Sequence, residues 1–154
     1  MIDAPRLLGE EEAAWRNIWE RFEGISEDRF EDPSLTPEGW SPKDAMFHVA
    51  AWMDDCGLQL ERMRDGSFDP TEETRATIER QNQAWFELSR TMDPADVRSR
   101  FATSRRRMVE AFRALGLARD EHTSEAIEWF EESGALHYAK HDEDLRAFIE
   151  VPHA

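Results

Sequence analysis

Cysteine is almost absent: among 154 residues only Cys56 carries a thiol. One cysteine excludes an internal disulfide and cannot build a thiolate cluster, so any metal must be held by nitrogen and oxygen ligands. Long apolar runs are missing as well. No stretch approaches the roughly 18 apolar residues of a membrane span. Residues 1–9 lack the basic start and apolar run of a secretory signal, so a soluble, cytoplasmic protein with no membrane partner is expected. Basic residues are scarce beside acidic ones, 19 Lys and Arg against 34 Asp and Glu, for a net charge of −15. Such a surface repels a phosphate backbone instead of releasing its counterions, which argues against a nucleic-acid partner. Strand-like alternation, Asn-Gly hairpin turns and internal repeats are absent too. These absences leave an all-α fold, most economically an antiparallel four-helix bundle.

What is present fits one domain over residues 1–154, because single cores span about 100 to 150 residues. Hydrophobic residues make up 40% of the chain and six are Trp, enough for a substantial core. Over residues 10–22, Ala14, Trp15, Ile18, Trp19 and Phe22 recur at three- and four-residue steps, the period of one helix face, ending near Gly24. Residues 27–40 cluster Asp, Pro, Ser and Gly and read as a connecting loop. Ser41 then caps a second helix, with Pro42 at its first position and the Asp44 charge at the positive helix end. That helix runs to about Arg64 and stops at Gly66. Its inward stripe holds Ala45, His48, Val49, Trp52, Cys56, Leu60 and Met63.

Pro70 or Thr71 is expected to start a third helical region through Ile78, Ala84, Trp85, Leu88 and Met92, interrupted at Asp93-Pro94. Residues 95–115 continue it with Val97, Phe101, Met108, Phe112 and Leu115, up to Gly116. Whether these are two helices or one kinked helix is open at this level. After a polar turn around Asp120, a short helical piece over residues 124–130 leads to Ser133, the expected cap of the last helix. The last helix carries His137, His141, Leu145 and Phe148 on one stripe.

His137 and His141 are four residues apart, so on a helix their Cβ atoms lie about 5 to 6 Å apart and two imidazoles can point at one place. Zinc proteases use the same pairing with a Glu after the first His; here Tyr138 follows His137, so a hydrolase of that type is not indicated. His48 on its own inward stripe adds a third imidazole. Three neutral rings on core faces need partners for their nitrogens, and one shared metal would satisfy all three. Read singly, each is better explained as an ordinary, partly exposed, hydrogen-bonded bundle residue; for the three together, spacing alone leaves both readings standing.

The segment Gly39-Trp40-Ser41-Pro42-Lys43-Asp44-Ala45-Met46-Phe47-His48-Val49-Ala50-Ala51-Trp52, with His137-Tyr138-Ala139-Lys140-His141-Asp142-Glu143-Asp144-Leu145 near the C-terminus, resembles the DinB-like (YfiT-like) superfamily. The resemblance implies a four-helix bundle whose second helix gives one His and whose last helix gives an H-x-x-x-H pair. These fall on His48, His137 and His141, which would hold one divalent ion, zinc or nickel first and iron or manganese next. It further implies a metal that activates a low-molecular-weight thiol for an S-transferase or isomerase reaction on a small-molecule substrate. The alternatives are a metal-dependent hydrolase and a non-catalytic binding protein that protects against a toxic molecule.

Neighbouring residues are weighed against this site. Asp44, four residues before His48, would orient that ring or complete the coordination, but a carboxylate there is more often a cap. Cys56 lies about 12 Å along the helix from His48, too far to share its ion, and reads as a core thiol. Arg105, Arg106 and Arg107 would dock an anionic thiol, yet three adjacent positions point in three directions, as on a solvated surface. Trp52 and Trp85 would wall a cavity or simply fill the core. Tyr138 would offer a hydroxyl to the site, although position i+1 points about 100° away. Apolar residues left over on the first helix would suit a homodimer.

Overall fold

Ser41 shows how local chemistry sets the frame. Its Oγ accepts from the Asp44 N–H at 3.1 Å and Asp44 Oδ2 accepts from the Ser41 N–H at 2.8 Å, a complete capping box. With Pro42 at the first position, this starts α2 (Pro42–Asp65), which ends at Gly66 in the left-handed region at φ 84°. The computed structural model describes residues 3–71, 75–116 and 123–151. Besides α2 these form α1 (Ala4–Glu23), α3 (Arg75–Thr91), α4 (Pro94–Leu115), α5 (Thr123–Ser133) and α6 (Ala135–Glu150), with no strand among the described residues. The all-α bundle expected from the sequence is the fold.

Several boundaries differ from the expectation, each for a local reason. α1 begins at Ala4, well before residue 10, because Asp3 accepts from the Arg6 N–H at 3.0 Å and Pro5 fits the first turn. Pro70 and Thr71 lie in a turn, where Asp69 Oδ1 accepts from the Thr71 N–H at 2.9 Å; among the described residues the helix begins at Arg75. The third region is two helices: Asp93 accepts from the Ala95 N–H at 2.8 Å and caps α4 afresh at Pro94. The turn around Asp120 lies outside the described residues. Ser133 does not cap the last helix. It closes α5, buried, and Gly134 precedes α6 with no side-chain cap. A Cβ on Gly134 would stand 2.7 Å from the Phe130 carbonyl oxygen, so only glycine permits so tight a passage between the two helices.

Helix directions follow from which residues meet. Glu11 pairs with Arg105 and Glu27 with Arg98, so α4 runs opposite to the chain through α1. His48 faces His141 while Met53 faces Tyr138, so α6 opposes α2. α3 lies back along α2, with Trp52 Nε1 donating to Asn82 Oδ1 at 2.8 Å and Ser89 Oγ to Asp44 Oδ1 at 2.5 Å. This return brings the chain to the start of α2 again. α4 therefore runs in the same direction as α2, with Lys43 Nζ donating to the Met92 carbonyl at 2.8 Å and Gly57 packing on Arg107. The buried side chains form one connected cluster. Trp15 and Trp19 pack on Phe101 at centroid distances of 4.5 and 6.2 Å, and Phe112 stacks on Phe130 at 3.8 Å.

Candidate metal centre

Each of the three histidines is placed by a helix already accounted for. His48 sits on the second turn of α2 and has Trp40, from the preceding loop, edge-on at 5.0 Å. His137 and His141 occupy successive turns of α6, and the opposed course of α2 and α6 brings all three rings together. His137 Nε2 lies 3.2 Å from His48 Nε2 and 3.1 Å from His141 Nε2, and one ligand atom from each ring falls within 4.8 Å of the others. His137 is buried; His48 and His141 are half-buried. Sequence reasoning thus singled out three side chains that the fold does bring together.

Electrostatics keep these rings neutral. Burial, with the neighbouring His141, pulls His48 down to about 3. Burial and the nearby Lys140 ammonium bring His141 to about 4. Burial and the other two imidazoles hold His137 well below the ordinary histidine range. At pH 7 each ring therefore keeps a lone pair available for an ion.

The donor set fits a divalent ion. Metal–nitrogen bonds of about 2.0 to 2.1 Å put tetrahedral ligands about 3.4 Å apart, close to the two nitrogen separations here. The fit is less complete behind the ligands. Nδ1 of His48 and Nδ1 of His137 are buried with no hydrogen-bond partner among the described residues, so neither has a carboxylate or carbonyl orienting it. Above the rings opens a cleft of about 810 Å³ between α2, α3, α5 and α6, with Trp52 and Trp129 among its walls.

The neighbouring residues sort themselves by their partners. Asp44 spends both carboxylate oxygens on Ser41 and Ser89, so it is a cap that also ties α3 to α2, and it does not orient His48. The Tyr138 hydroxyl donates to Glu11 Oε2 at 3.0 Å and lies 3.1 Å from Met53 Sδ, away from the imidazoles. Glu11, only 1% exposed, also binds the Arg105 guanidinium; this buried network carried no sequence signal beyond the inward placement of a charged residue on α1. Arg107 pairs with Glu61, and Arg106 borders a separate groove beside Trp15 and Trp19. Cys56 is fully buried with Sγ 3.5 Å from the Trp129 carbonyl, and burial pushes its thiol far up, so it is an inert core residue. Trp52 lines the cleft and packs edge-on against Trp85 at 5.1 Å.

A helical bundle with an H-x-x-x-H pair on its last helix facing a histidine of its second long helix has the architecture of the DinB-like superfamily. Within it, residues 12–128 match the mycothiol maleylpyruvate isomerase N-terminal domain, and the chain belongs to that family. The matched span contains His48, whereas His137 and His141 lie beyond it. No curated protein and no solved structure matches the chain.

Proposed function

We propose that His48, His137 and His141 hold one divalent ion, and that the protein activates a low-molecular-weight thiol for S-transfer or isomerisation of a small electrophile. The observation carrying this reading is the convergence of three neutral imidazole nitrogens at the floor of a cleft. Three protein ligands, instead of four, are the number used where a position is kept for a reactant. Zinc and nickel suit the all-imidazole set, with iron or manganese as alternatives. When bound, the ion supplies the positive charge that stabilises a thiolate near neutral pH.

The chain's own residues contribute the remainder. The imidazoles bring no charge, so an anionic sulfur is not repelled by its own ligands. Trp52 and Trp129 provide apolar wall against which an organic substrate excludes water. The family's description names mycothiol, a thiol, which agrees with this reading.

The test is spectroscopic. In cobalt-substituted protein a reactive thiol is expected to shift the visible spectrum and to be consumed faster with an electrophile than in protein lacking the three histidines. Turnover without any thiol would point to a hydrolase instead. Small-molecule binding that survives replacement of all three histidines would point to a sequestering protein. Spectra unmoved by every thiol, with no turnover, would overturn the proposal.

A further inference from the structure

The cleft over the histidines carries a charge pattern of its own. Among the described residues five carboxylates line it, Asp55, Asp69, Glu125, Glu128 and Glu132, against two cations, Arg62 and Lys140. Glu125, Glu128 and Glu132 follow one another on α5 at steps of three and four, one helix face, and flank Trp129 on the same wall. Glu128 and Glu132 are exposed. α5 is held in place by the contact of Cys56 with the Trp129 carbonyl and by the stacking of Phe130 on Phe112, so this acidic face is fixed against the opening. At the floor His137 is only 8% exposed, with a buried Nδ1 that has no partner among the described residues. An aromatic wall beside carboxylates suits a cation, through ring quadrupole and charge together.

Resting on the thiol reading above, we infer that the cleft selects a cationic, amine-bearing reactant and disfavours an anionic one. Among the described lining residues Lys140 and Arg62 are outnumbered, and the chain's charge of −15 adds to the same sign. A dicarboxylate entering the cleft would meet like charge at its rim. An ammonium group would lie between the α5 carboxylates and Trp129 while the opposite end of the molecule reaches the histidines.

Three thiols of similar size separate the charge from the thiol chemistry: cysteamine, 2-mercaptoethanol and 3-mercaptopropionate, titrated into the full-length cobalt-substituted protein. Cysteamine is expected to bind on the order of tenfold more tightly than 3-mercaptopropionate, with 2-mercaptoethanol between them. Their intrinsic thiol acidities differ, so the decisive readout is the change in that ratio on substitution. The Glu128→Gln/Glu132→Gln variant is expected to shrink it about threefold, and about 0.5 M salt to shrink it in the same direction. Both positions are exposed on α5, and a circular-dichroism melt checks that the variant folds. A ratio unchanged by the variant, or an acid that binds as well as the amine, overturns the charge inference and leaves the thiol reading standing. If none of the three thiols moves the spectrum, the neutral one included, the thiol reading itself falls and the inference with it.

Discussion

At Asp44 one carboxylate ties the start of α2 to the end of α3: it accepts from the Ser41 N–H and from Ser89 Oγ, 45 residues away in sequence. The capping half was legible, because Ser-Pro-x-Asp is a local pattern whose geometry follows from the free amides of a helix start. The Ser89 half was not, since nothing local tells a serine on another helix that it will meet this oxygen. Tyr138 teaches the same lesson in reverse. Its nearness to His137 in sequence suggested a part in the site, but a step of one residue turns it about 100° around α6, toward Glu11. Asp44 is 4% exposed, so Asp44→Ala removes a cap and leaves Ser89 with one partner fewer; a loss of about 2 to 3 kcal/mol is expected in urea unfolding, against about 1 for Ser89→Ala. Equal and negligible losses would show that the Asp44–Ser89 hydrogen bond is not holding α3 onto α2.

Elements were legible wherever their ends are written in short-range chemistry. α2 was bounded nearly to the residue by Ser41 and Gly66, and the break at Asp93-Pro94 was visible, whereas the early start of α1 and the Gly134 passage were not. Periodicity reports which face is apolar and is silent on direction. Hence the return of α3 along α2, which makes α4 run alongside α2, emerges only from the long-range contacts. The rotation of α6 is set by the network of buried Glu11 and Tyr138 with the half-buried Arg105, and this same rotation points His137 and His141 at His48. Tyr138→Phe deletes one buried hydrogen bond and is expected to cost about 1 kcal/mol. Glu11→Ala strips both partners and is expected to cost more, about 2 to 3 kcal/mol, held below the full buried-pair penalty because the Arg105 side chain is 24% exposed and can reach water. Thermal and urea unfolding of the two variants check the order; a Tyr138→Phe loss exceeding that of Glu11→Ala would contradict it.

For the whole molecule, charge and site make separate demands. An excess of fifteen negative charges predicts that duplex DNA is not bound at low ionic strength, where any attraction would be strongest. A filter-binding or anisotropy titration that shows tight binding, strengthened as salt falls, would contradict this. Among the described residues no helix is long and apolar enough to cross a membrane. The floor of the cleft, in contrast, has to admit three imidazoles, one buried and two half-buried, whose nitrogens converge, and an ion bound there only in the folded state would raise stability by about 2.7 kcal/mol at a hundredfold excess over its dissociation constant. The most direct test is therefore elemental analysis of protein purified without chelators, alongside a variant with His48, His137 and His141 all changed to Ala. About one divalent ion per wild-type chain and none in the folded variant is the expected result; a refolding-competent wild-type protein that takes up no zinc, nickel, iron or manganese would contradict it.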